Sequence, residues 1–236
     1  MSELSSLVKR NVMVFCRTKS NIFFSILAIA ILVVLHFLIL REMYTDQWSD
    51  LVSNMGIVVE RTDLYWMVDS LMFAAIIVVG AISISLVTLT IIVADKETNA
   101  LSDFLVSPIK RNSLFISYLI SSFLIGFVIL MGFVIFFEIY FIIVFGISFT
   151  LLQIVLIVIS SIGVLIFSNV FMLLVMSLIK SQQSVGSIGT VLGTMIGFIT
   201  GAYIPMGMFG SFISDILSSL PFYQLTALVR EIFYFK

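Results

Sequence analysis

One cysteine, one histidine and three prolines among 236 residues remove whole classes of chemistry. With Cys16 alone, neither an internal disulfide nor a thiolate metal cluster can form. With His36 alone, any mechanism that needs two imidazoles is excluded. There is no HExxH, no GxSxG and no glycine-rich stretch ending in Gly-Lys-Ser/Thr, which leaves out the zinc peptidases, hydrolases and phosphate-binding loops that carry those signatures. No paired aspartates stand inside an apolar run, which argues against an intramembrane protease. Charge is scarce too. Only 11% of residues are Asp, Glu, Lys or Arg, where a soluble domain has about a quarter. A net charge of −1 and the lack of a basic cluster leave no footprint for nucleic acid. The reading therefore carries no catalytic residue, no metal and no cofactor.

What is present is apolar: 61% of residues are hydrophobic and the mean hydropathy is +1.24. So little polar material cannot cover a water-soluble globule. About 20 apolar residues cross ~30 Å of hydrocarbon, and the charges mark where such runs begin and end. The pattern predicts an all-α, polytopic membrane bundle forming one domain over 1–236. Its spans are expected near 22–40, 70–94, 113–145, 151–178 and 185–203. The uncharged run 139–179 is too long for one helix and is expected to break near 146–150. The basic N-terminal segment precedes an apolar run too long for a signal peptide and lacks a cleavage site.

The positive-inside rule orients the chain. With a cytoplasmic N-terminus, Lys9, Arg10, Arg17, Lys19, Lys96, Lys110, Arg111 and Lys180 lie inside, and Arg41, Arg61, Arg230 and Lys236 lie outside. Before the first span, Leu4, Leu7, Val8, Val12 and Phe15 share one helical face. That suits either an amphipathic helix on the lipid surface or a plain basic anchor. His36, in the outer third of the first span, reads as a packed or interfacial polar group. Glu138 is the one acid inside a long apolar stretch, and its position suits helix packing or snorkelling at the outer interface, or a place on a substrate path.

The loop between the second and third spans holds Asp95, Lys96, Glu97, Leu101, Phe104, Leu105, Pro108, Lys110 and Arg111. Thr98 or Asn99 can cap a short helix, Leu101, Phe104 and Leu105 then share a face, and Pro108 stops it. Such a helix, hung between two spans, is either an ordinary interfacial turn or a lever for a partner. In the fifth span Gly186, Gly189, Gly193, Gly197 and Gly201 recur at helical spacing and form a strip without side chains. The strip suits close packing against another span of the same chain, or against a second copy.

The loop resembles that of type-2 ABC-transporter permeases, where an acid-basic-Glu pattern precedes Gly-Thr-Leu-Glu, leucines, a proline and basic residues. Asp95, Lys96, Glu97, Leu101, Leu105, Pro108, Lys110 and Arg111 match, while Asn99, Ala100, Ser102 and Phe104 depart. After the fifth span, Gly201 to Met206 with Pro205, then Pro221 and Arg230, resemble the family's outer re-entrant hairpin, expected here near 205–222, although its second proline is absent. The resemblance implies a non-catalytic membrane permease of an ATP-binding-cassette exporter in the plasma membrane. It also implies a coupling helix at 95–111, a separate ATP-binding ABC subunit, and a second permease copy or paralogue. A small amphipathic or apolar substrate is expected, as in multidrug or peptide efflux. The family's usual sixth span is missing from 1–236, so either the sequence is incomplete, which is the favoured expectation, or it is a five-span variant with its C-terminus outside. Two other classes remain open: an ion-coupled secondary transporter, and a membrane protein giving immunity to a membrane-active peptide.

Overall fold

The computed structural model describes residues 3–101, 104, 109–204 and 210–234, and every regular element among them is helical. The helices are α1 (Glu3–Arg17), α2 (Lys19–Leu35), α3 (Arg41–Asn54), α4 (Arg61–Glu97), α5 (Arg111–Phe145), α6 (Leu151–Leu178), α7 (Gln182–Ile199), α8 (Ser211–Ser219) and α9 (Pro221–Tyr234). A π-helical stretch, His36–Leu40, joins α2 to α3 without a break, so Lys19–Asn54 is one rod. That rod, α4, α5 and α6 are long and apolar enough to cross a membrane. The outer faces agree: Phe23, Leu38, Val128, Ile143 and Leu178 are more than half exposed, which suits lipid and not water.

Local chemistry sets the helix ends. Gly146 closes α5 at φ +67, a left-handed conformation that costs glycine little. Leu220 is extended, at φ −75 and ψ 139, as a residue before proline must be. Pro221 then opens α9 at its first position, where a missing N–H costs nothing. The result is an 85° bend between α8 and α9. Each is too short to cross alone at about 1.5 Å per residue.

Contacts divide the chain into two compact units that draw on the same long helices. The first holds residues 1–28, 80–131 and 162–195. In it Leu7, Asn11 and Phe15 form the buried face of α1. Asn11 donates to Ser117 Oγ (3.3 Å), and a buried polar chain runs from Thr88 to Ser122 to Asn169, joining α4, α5 and α6. Between apolar helices in lipid, such hydrogen bonds and close packing substitute for a hydrophobic drive.

The second unit holds residues 29–79, 132–161 and 196–236. Its centre is aromatic. Phe73 of α4 lies 4.5 Å from Phe137 and 5.2 Å from Phe233, ring to ring, and Phe149 lies 5.1 Å from Phe141 and 5.2 Å from Phe233. These tilted and edge-on pairs sit within the favoured separation range for aromatic rings, and they hold α9 against α4 and α5. Beside them lies a buried polar group. Asp69 faces His36 Nε2 at 2.8 Å, accepts from Tyr140 at 2.7 Å and pairs with Arg41 at 3.0 Å. The π-helical stretch carries His36, which is 1% exposed. π-Bulges of this kind re-aim side chains and recur at functional sites.

Candidate functional site

The last turn of α4 gathers three of the charged residues that the loop pattern singles out, Asp95, Lys96 and Glu97. Asp95 is buried and receives two bonds from Arg10, both at 2.6 Å, and one from the Tyr118 hydroxyl at 2.6 Å. A carboxylate out of water needs such donors, and the two-pronged guanidinium supplies the matching geometry. The carboxylate in turn holds the Arg10 guanidinium above its usual pKa, chiefly through the side-chain hydrogen bond. Arg10 also lies over the Phe104 ring, 5.3 Å from its centroid, within the range of a cation–π contact.

The two residues that follow point elsewhere. Lys96 Nζ meets the carbonyls of Met176 (3.1 Å), Ser177 (2.6 Å) and Ile179 (3.1 Å), at the end where α6 leaves its acceptors open. Glu97 accepts the Gln182 amide (3.4 Å) at the start of α7. Gln182 returns the contact, donating its side-chain amide to the Thr90 carbonyl (3.1 Å). Three consecutive residues of α4 therefore touch α1 and α5, then α6, then α7.

The loop itself begins with Thr98, whose hydroxyl donates back to Ala94 (2.8 Å), and Asn99, at φ +60. Both close α4, the left-handed residue occupying the position where helices commonly stop. Ala100, Leu101 and Phe104 are helical, whereas Leu105 and Pro108 lie outside the described residues. At the loop's far end the Lys110 amide donates to Glu3 (3.2 Å), next to Arg111 at the start of α5. Helix α1 thus meets the loop at both ends and at Phe104.

The glycines of α7, and Gly201 two residues past its end, meet different surroundings. A Cβ at Gly186 or Gly193 would have no described atom within 4 Å. One at Gly189 would make ordinary contact with Leu86. At Gly197 it would fall 2.0 Å from the Tyr203 ring, and Gly201, at φ +68, lies against Arg230. Arg230 donates to the carbonyls of Thr200 (3.1 Å) and Gly201 (3.4 Å), and Tyr44 donates to the Tyr203 carbonyl. The end of α7 is therefore tied within this chain, while its earlier turns present open glycines. Pro205 lies outside the described residues, and Pro221 opens α9. Glu138 accepts the Phe149 amide (3.2 Å), at the turn into α6.

Sequence reasoning missed the pairings of Asp69 with His36 and of Asp95 with Arg10. A buried acid at each limit of an uncharged run was the available signal. A family model described as ABC-2 family transporter protein matches residues 62–236, about three quarters of the chain. No curated protein and no solved structure matches. The matched segment includes the helix-end junction, the loop after it and the hairpin region, and the family implies a multi-pass membrane component that associates with an ATP-binding ABC subunit. By that match, the chain belongs to the ABC-2 transporter family.

Proposed function

We propose that the chain is the membrane-spanning permease of an ATP-driven exporter, working with a second permease and two ATP-binding subunits. The observation that carries this reading is the loop at 98–110. It joins the ends of two membrane-length helices, and α1 braces it at Phe104 and Lys110 and holds the helix end before it at Asp95. A partner that grips the loop therefore acts on helix ends and not on a free tether. The N-terminus, this loop and the α6–α7 corner belong on the cytoplasmic side, where lysine and arginine concentrate. ATP-driven closure of the partner displaces the loop, and a path for an amphipathic or apolar substrate opens outward between the permeases. The permease supplies shape, and bond chemistry stays with the partner.

The test is co-expression with a candidate ATP-binding ABC subunit from the same genome, followed by purification into lipid nanodiscs. The two chains are expected to co-purify, and a lipophilic cationic dye or an amphipathic peptide is expected to stimulate hydrolysis. Phe104→Ala should lower that stimulation at unchanged permease yield, and Thr98→Ala should not. A permease that never co-purifies with the ATP-binding chain overturns the reading.

A further inference from the structure

Lys96 and Glu97 belong to the pattern that resembles a motor-docking segment, yet both side chains turn onto this chain's own helices. Lys96 places a positive charge among three carbonyls at the C-terminus of α6, the negative end of that helix. Glu97 places a negative charge on an amide at the N-terminus of α7, the positive end. Neighbouring residues on a helix project about 100° apart, so two adjacent side chains on α4 can reach two different partners. Gln182 adds a third strand to the same knot through Thr90. Opposite charges thus grip opposite helix ends across the α6–α7 corner, all within one compact unit.

We infer that Lys96 and Glu97 are positioning residues of coupling: they clamp the end of α6 and the start of α7 to the end of α4, so that a displaced loop carries α7 with it. Contact with the ATP-binding partner then falls to the residues after Glu97. The inference rests on the exporter reading above and adds the route by which motion leaves the loop. It also explains why acid, base and acid stand side by side. Asp95 holds α1 and α5, Lys96 holds α6, and Glu97 holds α7.

The test uses the full chain assembled with its ATP-binding subunit in nanodiscs. A spin label sits at Ser187→Cys, on the exposed side of α7, in a Cys16→Ser background. The readout is the change in label mobility between the nucleotide-free and ATP–vanadate-trapped states. Lys96→Met and Glu97→Leu should each remove most of that change, while co-purification and basal hydrolysis persist. Lys96→Arg, which keeps charge and donors, should retain the change. In unlabelled Glu97→Cys/Gln182→Cys chains, joining the two cysteines with a short thiol reagent should restore the substrate-stimulated hydrolysis that Glu97→Leu loses. Loss of co-purification in Glu97→Leu, or failure of the joined chain, would make Glu97 a motor contact and overturn the inference. An undiminished response in Lys96→Met overturns it as well, with the exporter reading intact. A parent chain that ignores nucleotide overturns both.

Discussion

Asp95 and Arg10 do not share the risk of losing each other equally. Asp95 is 4% exposed, whereas the Arg10 side chain keeps a third of its surface open. Removing Arg10 strands a buried carboxylate with the Tyr118 hydroxyl as its remaining described donor, and such a stranded charge costs on the order of 3 kcal/mol. Removing the acid leaves a guanidinium that can turn to water or lipid phosphate, at about 1 kcal/mol. Arg10→Ala is therefore expected to lower the thermal midpoint in detergent more than Asp95→Asn. The double variant should recover part of the loss, because no charge is left stranded. Equal midpoints for the two single variants would refute this account. At this scale the sequence shows which residues are unusual and hides where they go. Asp95, His36 and Glu138 stand out by their charge or rarity. The partners of Asp95 and His36 come from other helices, Arg10 85 residues before Asp95 and Asp69 33 residues after His36. Helices such as α4, α5 and α6 are apolar on every side, so periodicity names no inward face.

Helical class and the presence of several membrane-length helices were legible, because length and apolarity need no neighbour. The π-helical stretch and the 85° bend were less so, since tertiary contacts and a single proline decide them. Helix α7 shows the limit best. Its glycines look alike in sequence, yet one meets Tyr203 and another meets open space. Gly197→Ala should force the Tyr203 ring aside, disturb the backbone that Tyr44 holds, and lower the midpoint. Gly193→Ala should leave it unchanged or raise it, since alanine favours a helix by up to ~1 kcal/mol over glycine. Matching losses at both sites would show that Gly193 is packed within the chain. In a Cys16→Ser background, an impermeant maleimide should label Ser49→Cys in whole cells and Asn99→Cys only after permeabilisation. The reverse pattern would invert the topology.

At the scale of the assembly, the proposed reading gives half of the substrate path's walls to a second permease, so one chain does not make the path legible. The family was legible, and with it the association with an ATP-binding subunit that the family implies, since the loop and hairpin motifs are local in sequence. Under the proposed reading, α7 is the surface offered to a second permease. Gly186 and Gly193 have open space where a side chain would lie, and Val191 and Met195 are more than half exposed. In lipid, apolar helices associate chiefly where small residues let backbones approach, and a leucine at that contact holds them apart. Gly193→Leu is therefore expected to weaken permease–permease association by about tenfold, equivalent to ~1.4 kcal/mol, and to abolish transport. Yield and thermal midpoint of the single chain should stay near the parent's, because a Cβ at Gly193 has no described atom within 4 Å. Crosslinking through Thr190→Cys in membranes, read beside detergent-extracted yield, separates the outcomes. Full crosslinking with normal transport would remove α7 from the interface. A collapse in yield would instead show that Gly193 packs against another helix of its own chain.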